Sequence, residues 1–341
     1  MKRSLWIAIL LIAGFSLIMA GGQGESGAGK AQAAKPFVLK YNQLEPEAHP
    51  QGVTEKAFAE KIAELSGGQI TVETYFSGTL FTQEGEVSAM MSGDLDLSTL
   101  AFQDMAPYLP TAAMFAAPYI FTSYEHMEKV FAPDSKVAAD FYKMVSDACG
   151  YTPLAAMTQG SRTVNTKWEK PIMTPADMAG MILRMPNAPA WIDAGKSLGA
   201  NVTPIAYSEV YTALQTGTID AQDNPLPGTY AMKFYEVTKQ ISLTKHIIDV
   251  KLLCVTNSVW DQMTDQQKAW MREAAQYATS QGSKTTYDQE NQLLDFFKDY
   301  GTMITYPDVN AFQKYSLDYY QKNGLTKDWN MDLYNRVQQL K

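Results

Sequence analysis

Cysteine and histidine are scarce in this chain of 341 residues, with two of the first and three of the second. None of His49, His126 and His246 sits in an H-E-x-x-H pair or near a G-x-S-x-G turn. Cys149 and Cys254 lack the paired spacing of a zinc site, and no glycine-rich phosphate loop occurs. These absences count against the common metal-dependent, nucleophilic and nucleotide-driven enzymes, although triad members can lie far apart in sequence. The chain reads as a non-enzyme that needs no cofactor. One disulfide is open to the two cysteines; since both flank apolar segments, buried free thiols are the preferred reading. Positive charge is also short, 28 Lys and Arg against 36 Asp and Glu, a net −8 at pH 7. An acidic surface disfavours nucleic acid and anionic lipid as partners. Any anion site must then be built locally, against the overall field.

Long hydrophobic runs are confined to the start. Lys2 and Arg3 precede an uncharged stretch from Ser4 to Ala20, the layout of a secretory signal peptide. A retained membrane anchor is the competing reading, but the run is near the lower limit of about 17 residues for a span. No cysteine follows it, so a lipoprotein anchor is not expected. Gly21 to Ala34 is rich in Gly, Ala, Ser and Gln without hydrophobic period. Residues 1–20 are therefore expected to be removed on export to the periplasm, with 21–36 a disordered tether.

From Phe37 onward short apolar runs alternate with helical patterns, the mark of an α/β protein, and 46% hydrophobic residues suffice for two cores. Expected strands include Phe37–Tyr41, Ile70–Thr74, Leu95–Leu100, Thr152–Met157, Met181–Met185, Thr218–Ala221 and Ile247–Thr256. Expected helices include Tyr124–Phe131, Asp134–Ala148, Ala188–Leu198, Ser208–Thr216, Tyr230–Tyr235, Val309–Lys322 and Lys327–Leu340. Thr264-x-x-Gln267 is a capping box that opens a helical pattern through Tyr300, interrupted only by Gly282. That pattern is either one helix long enough to span two lobes or two helices broken at the glycine.

Arg184 ends the apolar stretch Met181–Leu183 just before Pro186 and a helix start. In an open α/β sheet, that is where a strand's carboxyl end faces a helix N-terminus and ligands bind. Its planar fork of donors fits a carboxylate, though an arginine more commonly sits in a weak surface ion pair. Arg162, in a Gly-Ser-Arg-Thr turn, is a second clamp or a hinge residue paired with an acid across the domain boundary. Asn224 follows the expected strand Thr218–Ala221; its amide suits a carboxylate or hydroxyl, or an Asx turn before Pro225. Asn187 contacts ligand or caps the next helix. Tyr207 offers a ring and a hydroxyl, or packs in the core. Phe102 and Gln103 follow the strand ending at Leu100, where the first domain should face a cleft. Trp191 is assigned to the core.

Several runs in this order resemble the solute-binding proteins of TRAP transporters. They are Ala48-His-Pro50, Ala117-Pro-Tyr-Ile-Phe121, Arg162-Thr-Val-Asn-Thr166, Leu183-Arg-Met-Pro186, Ser208-Glu-Val-Tyr-Thr-Ala-Leu-Gln-Thr-Gly217, Asp223-Asn-Pro225 and Phe234-Tyr-Glu-Val237. The resemblance implies a two-lobe periplasmic binding protein fold with crossing hinge strands and a long helix spanning both lobes. Lobe I would hold 37–159 plus about 251–290, and lobe II 160–250 plus about 291–341. It implies a receptor that carries an organic acid to membrane permease subunits, with Arg184 salt-bridging the carboxylate and Arg162 and Asn224 at further contact positions. Sensing for a signalling ectodomain, or a secreted hydrolase or lyase, are the alternatives. Pro186-Asn-Ala188 looks like the sialic-acid-binding branch, from which the chain departs at Ala101 and at Gln159. Those departures turn the expectation to another carboxylate, such as a sugar, hydroxy or keto acid, with Gln159 kept among the contacts.

Overall fold

The computed structural model describes residues 35–341, so the expected signal peptide and nearly all of the expected tether lie outside the described residues. Residues 35–341 form one compact unit carrying two sheets. The chain enters the first sheet with β1 (Phe37–Asn42), β2 (Ile70–Tyr75), β3 (Leu97–Ala101) and β4 (Tyr151–Ser161). With only Arg162 between them, β4 passes into β5 (Thr163–Thr166) of the second sheet. There β6 (Ile182–Met185), β7 (Asn201–Pro204), β8 (Ala221–Asn224) and β9 (Gln240–Ser242) follow. Then β10 (Ile248–Thr256) returns to the first sheet, and β11 (Met303–Thr305) completes the second. The orders are β2-β1-β3-β10-β4 and β11-β9-β5-β8-β6-β7. β10 runs antiparallel between β3 and β4, so two adjacent antiparallel strands lead the chain into the second lobe and back out of it.

The periodicities seen in the sequence explain the layers. In β1, Phe37, Leu39 and Tyr41 point into a core while Val38 and Lys40 are exposed, the period of a strand covered on one face. That core, with Phe58, Ile62 and Met271, lies between the first sheet and the helices Pro50–Leu65 and Asp265–Tyr300. The sheet's other face carries an aromatic cluster around Phe102, Phe115 and Phe141. The second lobe is centred on Val164, Leu183, Met185 and Trp191.

The helix Asp265–Tyr300 is continuous over 36 residues. Thr264 and Gln267 form the expected capping box, and Gly301 in a left-handed conformation ends it. Its first half packs on Pro50–Leu65 and β4; its last turns place Leu293 and Phe297 against Leu226 and Ile241 of the second lobe. Gly282 does not break it. A Cβ there would lie 1.9 Å from Thr54 Oγ1 and 2.9 Å from the Pro50 carbonyl, so the missing side chain is what lets two helices cross closely.

Several boundaries differ from the sequence expectation. The strand expected over Thr218–Ala221 forms instead at Ala221–Asn224, one alanine and three polar residues, all buried. The helix expected over Tyr230–Tyr235 is Leu226–Ala231 followed by a 3-10 turn, Phe234–Glu236. The last helix is Met331–Gln338, and it packs on the first lobe although 291–341 were assigned to the second. Leu333 and Val337 join the Phe102 cluster, and the Val337 carbonyl lies 2.8 Å from His126 Nε2. Its apolar stripe needs a partner, and the aromatic face of the first lobe supplies one. Cys149 and Cys254 are free and buried. No helix among the described residues is long and apolar enough to cross a membrane.

Candidate functional site

Arg184 occupies the third position of β6, paired in register with Thr203 of β7, and its side chain is only 1% exposed. It makes one side-chain hydrogen bond, Nε donating to the Ile205 carbonyl at 2.7 Å. Its Nη2 is buried with no partner, and its guanidinium lies 5.6 Å from the centre of the Tyr207 ring. Burial pulls its pKa down to about 10; Asp223 opposes that from a distance, its carboxylate already engaged elsewhere. A cation held this way has given up water without gaining a counter-ion.

Arg162 is also buried, but paired with acids. Nε donates to Asp223 Oδ2 at 2.6 Å, Nη2 to Asp223 Oδ1 at 3.0 Å, and Nη1 to Asp249 Oδ2 at 2.5 Å. The indole of Trp191 covers its guanidinium at 4.5 Å. Burial would lower its pKa, but Asp223 and Asp249 overcome that and raise it. Burial would conversely raise the Asp223 carboxyl, yet Arg162 and His246 beside it hold it well below the usual carboxylate range. Arg162 stands at the β4–β5 crossing and Asp249 near the start of β10, so this ion network ties the two hinge strands together. Arg162 thus makes the hinge pairing offered as one of its two sequence alternatives, Nη1 engaging Asp249 through one of its two N–H groups.

The remaining candidates separate into three groups. Asn224, the last residue of β8, is buried with Nδ2 donating to Gln222 Oε1 at 2.5 Å and Oδ1 3.5 Å from Arg162 Nη2. Tyr207 opens the 3-10 turn Tyr207–Glu209, and its hydroxyl is buried without a partner. Gln159, at a bulge opposite Asp249 and Val250, has its Nε2 likewise unpartnered, and Gln103 is buried with no side-chain hydrogen bond among the described residues. Asn187 is exposed and caps nothing; Ala188 is the residue at the helix boundary. Phe102 is misplaced by the sequence reading. Its ring lies in the first-lobe core, 5.1 Å from Phe115 and 5.6 Å from Phe131 and Phe141, because the short helix Phe102–Met105 turns it inward at once.

Three important residues escaped the sequence reading, and a fourth does more than was expected of it. Trp191 is core, as expected, but its Nε1 also donates to Asp104 Oδ1 of the first lobe at 3.3 Å. Asp223 and Asp249 anchor the hinge. Glu45, just past β1, is 7% exposed with Oε2 unpartnered; burial raises its pKa to about 7 against the pull of Tyr207, Lys251 and Arg162. A position just beyond a strand's carboxyl end was the available signal for Glu45. The second lobe's Arg184 and Arg162 thus share one region with Tyr207 and Trp191, and Trp191 reaches Asp104 of the first lobe. A separate groove of about 890 Å³ runs between β4, the helix Lys136–Cys149 and the long helix, and none of the candidate residues lines it.

Residues 41–326 match the family model described as bacterial extracellular solute-binding protein, family 7. The chain is 32% identical over 263 residues to the sialic acid-binding periplasmic protein SiaP of Vibrio cholerae, covering 76% of this chain and 79% of that protein. A TRAP periplasmic solute-binding protein of Roseobacter denitrificans, solved with bound 3-deoxy-D-manno-oct-2-ulosonic acid, superposes with a TM-score of 0.85. It is 35% identical, and the match covers 90% of this chain and all of that one. Another, from Sulfitobacter sp. NAS-14.1 with bound β-D-galacturonate, gives a TM-score of 0.81 at 26% identity, covering 88% and 98%.

Proposed function

Because the chain belongs to the bacterial extracellular solute-binding proteins of family 7, the receptors of TRAP transporters, we propose that it captures a sugar acid through Arg184 and delivers it to membrane permease subunits. Capture takes place outside the inner membrane, the lobes closing over the ligand. The observation that carries this reading is the Arg184 guanidinium, buried with Nη2 unpartnered at the end of a strand. A ligand carboxylate would satisfy both the charge and the open donor, and a planar fork matches its two oxygens. The related structures hold hydroxylated carboxylates, an ulosonic acid in one and a uronate in the other. Asn224 and Gln159 then offer amides to the same guest, and the Arg162 network holds the hinge on which closure turns.

Isothermal titration with 3-deoxy-D-manno-oct-2-ulosonate, D-galacturonate, D-glucuronate, D-galactonate and D-gluconate tests this. Micromolar to nanomolar capture corresponds to about 8–12 kcal/mol. Arg184→Met should abolish binding and, by removing an uncompensated buried charge, raise the melting temperature of the unliganded protein. Arg184→Lys should weaken binding strongly, since a point charge does not reproduce the fork. Undiminished affinity in Arg184→Met would overturn the clamp.

A further inference from the structure

β4 is the last strand of the first sheet, with β10 on one edge and no strand on the other among the described residues. The groove of about 890 Å³ runs along that outer edge. All seven residues from Thr152 to Thr158 line it, those of both faces alike, so the groove opens on the strand's main chain rather than on one face. The helix Lys136–Cys149 walls it on one side and the long helix on the other. At one end the edge is already answered. Thr158 N donates to Ser283 Oγ at 3.1 Å, and the Thr158 carbonyl accepts from Thr286 Oγ1 at 3.0 Å. Both main-chain groups of Thr158 thus turn away from β10. Ala156 lies two residues back in unbroken register and turns the same way. It is half-buried, and among the described residues no side chain and no further strand takes its N–H or C=O.

We propose that this edge is a docking groove that takes an extended segment of another polypeptide as an added strand, apolar along its length and acidic at one end. Main-chain pairing supplies the attraction common to strand addition, and the side chains of the lining supply the choice of sequence. Much of that lining is apolar, with Phe131, Ala138, Leu154 and Met157 among it. Its charged groups are answered within the protein, save one. Lys143 pairs with Asp147 at 2.6 Å, Lys284 pairs with Asp288, and Glu128 accepts from the Tyr287 hydroxyl at 2.6 Å. Arg272 has no acid partner among the described residues. Its guanidinium lies 4.7 Å from the centre of the Trp260 ring, and Lys268 Nζ lies 5.5 Å from the same ring. Trp260 and Leu154 share one apolar core whereas Ser283 meets Thr158, so these cations mark the end of the groove where β4 begins. A cationic end on a chain of net charge −8 calls for an acidic residue on the guest. Pairing along the groove takes about 20 Å of extended chain. A second copy does not fit, because its own β4 is recessed between the same two helices and two recessed edges cannot meet.

The test is panning of a random dodecapeptide library on the receptor, followed by anisotropy titration of the labelled peptides recovered. Enriched peptides should carry an apolar run of about five to seven residues with Asp or Glu at one end. Their binding should slow hydrogen exchange at the Ala156 amide. Ala156→Pro removes the outward N–H without touching the β10 ladder, a change that edge strands accept, and should weaken the peptides about tenfold or more. Ala139→Trp fills the groove from an exposed helix position, and should abolish binding even where the proline variant does not fold. Arg272→Glu should weaken the acidic-ended peptides about tenfold. Arg184→Met should bind them as wild type does. No enriched peptide, peptides that bind Ala156→Pro and Ala139→Trp as tightly as wild type, or peptides lost in Arg184→Met would overturn the proposal. So would dodecanoate filling the groove in place of any peptide, with affinity lost in Ala139→Trp and kept in Ala156→Pro, since a long-chain acid needs the groove but not the strand edge.

Discussion

Arg184 ends an apolar run and Arg162 follows one within a Gly-Ser-Arg-Thr turn, so both read as strand-end arginines, and both come out buried. What separates them is their partners. Arg162 has Asp223 and Asp249; Arg184 has one carbonyl. Sequence position gave both as candidates because strand ends are legible from apolar runs, whereas the acids answering Arg162 arrive 61 and 87 residues later. Phe102 fails for a related reason: where a strand ends is readable, but whether the next side chain turns to the cleft or the core depends on the helix that begins there. The two arginines should therefore respond oppositely to neutralisation. Arg184→Met should stabilise the empty protein, whereas Arg162→Met strands two buried carboxylates and should cost about 3–5 kcal/mol of unfolding free energy. Urea denaturation of both variants without ligand makes the comparison. An Arg162→Met protein as stable as wild type would show that the network does not hold the hinge strands.

At the scale of elements, most helices and strands were legible because their apolar residues recur at 3.6 or 2.0, and Thr264-x-x-Gln267 located the long helix start. β8 was misplaced because its four residues are Ala, Gln, Asp and Asn, an unlikely strand by composition. It forms because its side chains are partnered: Gln222 Nε2 donates to Asn165 Oδ1 at 2.9 Å, and Asp223 takes Arg162. A strand held by polar pairing carries no apolar signature to find. Gly282 left the long helix ambiguous for a similar reason, since its role lies in the neighbouring helix. Replacing an interior helical glycine by alanine ordinarily gains about 1 kcal/mol. Here the new methyl would meet Thr54 Oγ1 at 1.9 Å, and overpacking of that kind costs about 1–3 kcal/mol. Gly282→Ala should thus lower the melting temperature despite the better propensity, and the double variant with Thr54→Ala should recover part of the loss. A rise in melting temperature for Gly282→Ala alone would mean that the two helices are not so closely held.

For the molecule as a whole, buried carboxyls set how stability follows pH. Burial raises Glu45 to about 7, Glu86 to about 8 and Glu55 to about 9. Each then binds its proton more tightly folded than unfolded, so its contribution is fully present below about pH 4.5 and is lost as pH climbs toward its folded value. His49 works the other way. Burial lowers it to about 3, so the folded protein excludes a proton that the unfolded chain takes up, and stability rises between about pH 3 and 6.5. From about pH 5 to 6.5 three glutamates oppose two histidines, since burial lowers His126 as well, and above that the glutamates dominate. The unliganded receptor should therefore be most stable near pH 4–5 and lose stability steadily toward pH 9, at up to about 1.4 kcal/mol per group and pH unit. Glu55 is the cleanest place to check, because it lies away from the ligand site, its Oε1 accepting from the Tyr75 amide at 3.0 Å and its Oε2 buried without a partner. Glu55→Gln retains an acceptor for Tyr75 and removes the titration. Its unfolding free energy at pH 5 should stay close to wild type, and by pH 9 it should be the more stable of the two. Parallel profiles from pH 5 to 9 would mean that the Glu55 carboxyl ionises in the folded protein as it does in the unfolded chain.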